Sequence, residues 1–361
     1  MTELEHIPDW ISPPGETILD ILDEKGWTQT ELAERTDFTR KHINQLVKGK
    51  APINQETALK LERVLGSSVG FWLSREAQYR EILARQSELN DLKPYIGWLS
   101  ELPVNEMIRF GWLKKYDEKV RQVAECLRYF GVASIKAWQE KYENVVLAYR
   151  SSEKLEKQQG SVTAWLRHGE IKAETIGTKA FNKTVLESNL AEMRNLTQES
   201  NPSIFLPRLE ELCAESGVAL VVSPAPKGCP ASGVTRWLTP EKALIMLSLR
   251  YKTNDHFWFT FFHEIAHLLI HGKKMLYLEL AGEPLDDVAE TEADLWASSF
   301  LIPKTYEKQL KAPACNSEVI YTFAKNLGIA PGIVLGRLQK EGIVPWGTNI
   351  NQLKIRYAWQ G

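Results

Sequence analysis

"WFTFFHEIAHLLIHGKK", residues 258–274, sets two histidines four apart, with a glutamate directly after the first, in an otherwise apolar run. On a helix, residues four apart share one face. His263 and His267 therefore aim two imidazoles at one point, the geometry zinc needs from two of its ligands. Glu264 follows about 100° round the helix, where its carboxylate can hold a water at such a centre and take its proton. HExxH also occurs by chance in many proteins, so two other readings stand beside this one. In the first, a buried helix bonds its histidines to backbone. In the second, the metal serves structure alone.

The neighbouring segments bear on the choice. A zinc hydrolase keeps three protein ligands and one open position. "DDVAETEADLWASSFLIP" (286–303) reads as the next helix and offers Glu290, Glu292 and Asp294. Glu290, Ala293, Ala297 and, more loosely, Phe300 fall on one helical face, which turns Glu290 inward as the third ligand. Glu292 is the alternative, since helix rotation is open. The 23 residues from His267 to Glu290 leave room for a helix end, a loop and a return. Asp294, one turn later, can hold a ligand histidine by its other ring nitrogen. His271 repeats the four-residue spacing, but a helix drifts ~40° over four residues, which strains a third ligand from one straight helix. Gly272 reads as the helix stop, so His271 is expected to support the ligands rather than join them.

Upstream, the breaker cluster "ESNPS" (199–203) marks a boundary, and "VALVVSPAP" (218–226) and "KALIMLSLR" (242–250) are of strand length and composition. "PAPKGCPASGV" (224–234) between them reads as a Pro/Gly loop with Cys229 as an ordinary loop cysteine. Residues 200–305, through "FTFFHEIAHLLIH" and "ETEADLWASSFLIP", resemble the ImmA/IrrE metallopeptidases. The glutamate, aspartate and aromatic at 290, 294 and 296 are also similar to a thermolysin-type pattern. The resemblance implies zinc held by His263, His267 and Glu290, with Glu264 as general base in cleavage of a repressor protein.

The other end of the chain carries a different signal. In "TQTELAERTDFTRKHINQLVKGKAPI" (28–53), Thr28 and Glu31 form a capping box that starts a helix, and Ala33 permits close approach of a second one. Thr39 caps that second helix, whose Ile43, Leu46 and Val47 face inward. Two short helices across a tight turn are a helix-turn-helix, with the second helix bound for the major groove. Its exposed face shows Thr39, Arg40, Lys41, Asn44 and Gln45. Gln29, at the start of the first helix, is added to the contact set. From Arg40 to Lys50 there are four basic residues and no acid. Amides suit adenine and arginine suits guanine, while Lys48 and Lys50 suit phosphates. A protein-interaction module with a solvated basic face is the competing reading. Residues 13–73, ending in "FWL", closely resemble the HigA-type antitoxins of the Xre class. That resemblance implies a homodimer on a double-stranded DNA operator.

The bulk numbers frame both ends. With 361 residues the chain is too long for one ordinary core, and a net charge of -2 leaves nucleic-acid attraction to local patches. Cys126, Cys213, Cys229 and Cys315 show no paired spacing, which fits a reducing cytoplasm. An acidic, proline-broken start argues against a signal peptide, and no apolar run reaches the ~18 residues of a membrane span. Residues 76–200 read as a charged helical connector, a dimerisation or sensing region, with core tryptophans at 98, 112, 138 and 165. "VIYTFAKNLGIAPGIVLGRLQKEG" (319–342) has the look of a second helix-turn-helix, better read as a packing subdomain.

The expected architecture is multidomain and mostly α with a smaller α+β part. It comprises an all-α helix-turn-helix (1–75), the connector (76–200), and an α+β zincin-like unit with a helical tail (201–361). The expected function is a transcriptional regulator whose zinc peptidase cuts a protein, itself or a repressor. The other reading is a non-catalytic antitoxin that binds a cognate toxin, with the metal fold as scaffold or sensor.

Overall fold

The computed structural model describes residues 12–149, 159–271, 277–280, 287–310 and 316–358. Gly272 and Cys315 lie outside the described residues. The chain divides into two compact units, Met1–Ile96 with Lys119–Ala124, and Gly97–Glu118 with Glu125–Gly361. Among the described residues no single helix is long and apolar enough to cross a membrane.

The first unit is built on α1 (Pro14–Lys25), α2 (Gln29–Thr36), α3 (Arg40–Val47), α4 (Gln55–Leu65) and α5 (Val69–Leu92). Position 75 lies inside α5. Each of the last four helices starts on a side-chain cap: Thr28, Thr39, Asn54 and Ser68 accept the N–H three residues on. Only half of the expected capping box forms. The Glu31 carboxylate takes Arg35 at 2.8 Å, the residue four along its own helix, instead of turning back to Thr28. Ile18, Leu22, Leu32, Ala33, Ile43, Leu46, Leu61 and Trp72 are among the core residues. Gly15 lets α1 close on α3, since a Cβ there would stand 2.0 Å from the Val47 carbonyl oxygen.

The second unit takes in α6 (Val104–Arg109), part of α7 (Lys119–Phe130), α8 (Ile135–Tyr149), α9 (Gln159–Thr175), α10 (Lys183–Asn195) and α11 (Pro202–Glu215). A sheet follows: β1 (Val218–Val222), β2 (Ala231–Thr239), β3 (Lys242–Leu247) and, after α12 (Asn254–Ile270), β4 (Tyr277–Leu280). Its order is β1-β3-β2-β4, parallel between β1 and β3 and antiparallel elsewhere. α13 (Asp287–Leu301), α14 (Glu307–Leu310), α15 (Ser317–Leu327) and α16 (Pro331–Lys340) complete the unit.

The continuous apolar run of β3 is explained by burial on both faces. Ala243, Ile245 and Leu247 join the cluster formed by Phe257, Trp258, Phe261, Phe262 and Ile265 of α12. On the opposite face Leu244 and Met246 meet α9 at Gly169, where a Cβ would stand 2.3 Å from the Met246 sulfur. Two helices thus sandwich the sheet.

The expected loop at 224–234 is corrected in its last residues: β2 begins at Ala231 and is an inner strand of the sheet. Its small and polar residues, which read as loop, are used against α12. Cys229 precedes it as a buried free thiol, like Cys126 and Cys213. In the tail, α16 buries Ile333, Val334, Leu335 and Leu338 in the core of the second unit. Trp98, Trp138 and Trp165 are buried, and Trp112 stacks on His168 at 4.1 Å.

Candidate metal centre

α12 is apolar nearly all round because the sheet covers one side and α13 and α16 pack on others. His263 and His267 are buried within it, and α13 delivers Glu290 opposite. The donor atoms converge. His263 Nε2 and His267 Nε2 lie 3.0 Å apart, and Glu290 offers Oε2 to His263 at 3.0 Å and Oε1 to His267 at 3.4 Å. Ligand atoms held tetrahedrally at ~2.0–2.1 Å from zinc stand about 3.3 Å from one another, so this spacing suits a single small cation.

Proton positions strengthen the fit. His263 Nδ1 sits 3.0 Å from Asp294 Oδ1, and a carboxylate there fixes the ring proton on Nδ1. In the neutral ring the Nε2 lone pair then points at the Glu290 carboxylate, acceptor against acceptor, an arrangement that a cation resolves. Burial first, then the imidazoles of His263 and His271, pushes His267 down to about 2, so this ring is neutral and fit to ligate. Burial works to raise Asp294, but the His263 hydrogen bond and the Lys340 ammonium, 3.0 Å from Oδ2, outweigh it and hold this carboxyl below its usual range.

The remaining expected residues also have defined places. His271 is the residue that ends α12. Its Nδ1 lies 3.0 Å from His267 Nδ1, the nitrogen facing away from the cluster, and its Nε2 lies 3.1 Å from Glu292. Glu292 therefore sits on His271 and not among the converging donors. Glu264 is fully buried, and its Oε2 accepts the Thr235 hydroxyl at 2.6 Å. Gly233, two residues earlier on β2, leaves the space that the Glu264 carboxylate fills. Sequence reasoning missed Thr235, Gly233 and Lys340. Only the placement of β2 against α12, and of α16 beside α13, brings them to the site.

In the first unit, Thr39, Arg40, Lys41, Asn44, Gln45, Lys48 and Lys50 are exposed along and just after α3, and Gln29 is half-buried at the start of α2. No acidic residue interrupts positions 40–50.

A capped helix-turn-helix in one unit and an HExxH helix packed on a mixed sheet in the other are a helix-turn-helix domain of DNA-binding type and a metallopeptidase-like domain. The chain matches the helix-turn-helix family model over residues 18–72 and the IrrE N-terminal-like domain over residues 230–339. It is similar to the uncharacterized HTH-type transcriptional regulator YddM of Escherichia coli K12, 36% identical over 61 residues, 17% of this chain and 65% of that protein. It is also similar to virulence-associated protein A of Dichelobacter nodosus, 37% identical over 59 residues, 16% of this chain and 58% of that protein. The chain spans between 47% and 65% of the length of the curated relatives it matches.

Proposed function

We propose that this chain is an operator-binding regulator whose second unit is a zinc-dependent peptidase acting on a protein substrate, itself or a partner repressor, in the cytoplasm. The observation that carries the reading is the convergence of His263, His267 and Glu290, with donor atoms within 4.8 Å of one another, and Glu264 directly follows the first of them in the chain. Zinc bound here would supply Lewis acidity to an amide carbonyl and lower the pKa of a water toward neutrality. His263, His267 and Glu290 would hold the ion, and Asp294 would keep the His263 ring in its ligating tautomer. Glu264, oriented by the Thr235 hydroxyl, takes the proton from the attacking water and passes it to the leaving amine. In the first unit, Arg40, Lys41, Asn44 and Gln45 read base edges while Lys48 and Lys50, with Gln29, take phosphates. A homodimer would place two such helices on a two-fold operator.

The test pairs metal content with cleavage in wild type, Glu264→Gln and His263→Ala, each incubated with zinc, alone and with the repressor proteins encoded beside its gene. Retained zinc with a lost cut in Glu264→Gln supports the peptidase. A wild type that binds about one zinc and cuts nothing, with DNA binding intact in all three, favours the antitoxin reading instead. A wild type without metal removes the ligand assignment.

A further inference from the structure

A cavity of about 250 Å³ opens among α12, α13 and α16. Its body is apolar, lined by Phe259, Leu301, Ile302 and Ile333, with Trp346 at its lip, 58% exposed. Phe259 lies one turn, about 6 Å along the axis, before His263 on the same helix face. Arg337 and Lys340 also line this space. The acid among its lining residues, Asp255, is tied to Lys354 at 2.6 Å, with both side chains nearly buried. Arg337 gives Nε to Glu341, which does not line the cavity, and among the described residues its two Nη groups have no acceptor assigned. Lys340 gives one of its three N–H groups to Asp294 and lies over the Phe259 ring. The walls therefore combine apolar surface with two cationic side chains that keep donors to spare beyond their own carboxylate partners, which is the recognition chemistry for a small anion carrying an apolar body.

We propose that this cavity binds a small carboxylic acid with an aryl or short alkyl body, and that the bound acid tightens metal binding at His263, His267 and Glu290. The coupling rests on the metal reading above; the binding does not. The link is Lys340, whose ammonium holds Asp294 Oδ2 while Asp294 Oδ1 holds His263 Nδ1. An acid that shares Lys340 dilutes the positive charge acting on Asp294. Asp294 then becomes a stronger acceptor for the His263 proton, and more electron density reaches the ligating nitrogen. By linkage, metal tightens the acid by the same factor.

The experiment is calorimetric titration of the full chain, metal-stripped and zinc-loaded, with 3-phenylpropanoate and with the isosteric neutral 3-phenylpropanamide. Zinc affinity is measured alongside by competition with a chromophoric chelator, with and without the acid. Saturable binding of one acid per chain is expected, with the amide and the Arg337→Met chain about tenfold weaker, the value of one charge-assisted hydrogen bond. Zinc affinity should rise about fivefold with the acid, at the low end of allosteric couplings, and Lys340→Met should abolish that rise. Both substitutions keep an apolar stem at the rim, and circular dichroism checks the fold. No saturable binding, or equal affinity for acid and amide on the wild type, overturns the site. Binding with unchanged zinc affinity overturns the coupling. If the chain takes up no zinc, the metal reading fails by itself and the metal-stripped titration still decides the cavity.

Discussion

Replacing Gly233 by alanine tests how closely the sheet holds the Glu264 carboxylate. The added Cβ would stand 2.3 Å from Glu264 Oε1, 2.6 Å from Thr260 Cγ2 and 2.9 Å from Glu264 Cγ. Favourable carbon contacts lie at ~3.5–4.0 Å, so about 1 Å of movement must be found. Glu264 cannot swing aside, being fully buried and held by Thr235 at 2.6 Å. Thr260 is β-branched on a helix and has few rotamers to offer. The strand and α12 must therefore part. Overpacking of this kind costs about 1–3 kcal/mol, and the stiffer unfolded chain returns ~0.4–1 kcal/mol. A net loss of about 1–2 kcal/mol corresponds to roughly 2–8 °C for a unit of this size. The assay is calorimetry of the full chain with and without zinc. The transition to follow is the one zinc raises, since one melting temperature is not defined for a chain of two units. Zinc affinity should change by less than about threefold, because the ligands keep their partners on α13, while cleavage falls with the displaced base. An unchanged or raised transition with full cleavage would refute the close approach of β2 to Glu264.

Asp294→Ala removes the acceptor for His263 Nδ1, and zinc affinity should fall about 10–100-fold in a chelator competition. An unchanged affinity would show that Asp294 orients nothing. Lys48→Ala should weaken operator binding about equally for all sequences and reduce the salt slope by about one, whereas Asn44→Ala should relax preference at one base pair; fluorescence anisotropy across a salt series separates the two. His168 gives a pH test. Burial, aided slightly by Lys172, pushes it down to about 4, against ~6.5 when unfolded. Between those values the unfolded chain binds more protons. The stability of the second unit is therefore full above about pH 6.5 and falls toward pH 4, by ~2–3 kcal/mol from this group. His168→Phe, which keeps the stack on Trp112, should flatten that loss in urea unfolding at pH 7.5 and 4.5. Equal slopes in the two proteins would dismiss the assignment.

What was legible in the sequence follows from how far apart the interacting residues lie. Thr39 and its His42 N–H are three residues apart, and His263 and His267 four, so helical periodicity alone sets their geometry. The Glu290 face could be argued from Ala293 and Ala297, because small residues on one side of a helix tell which side is covered. The capping box failed halfway for a local reason: Glu31 had a competing arginine on its own helix, and nothing in the spacing ranks one partner above the other. β2 failed for a non-local one. "ASGVTRWLT" has the glycine and hydroxyl content of a loop, and those residues make sense only once α12 is laid against them. Gly233 then becomes the gap for a carboxylate and Thr235 its donor, 29 residues from Glu264 in the chain. Lys340 is further still, 46 residues from Asp294, on a helix whose own sequence reads as core. The converging donors of a candidate metal site announce themselves through local spacing because one helix aims two of them. The groups packed around those donors answer only to the tertiary fold. The residues most worth mutating here, Gly233, Thr235 and Lys340, are accordingly ones that no motif contains.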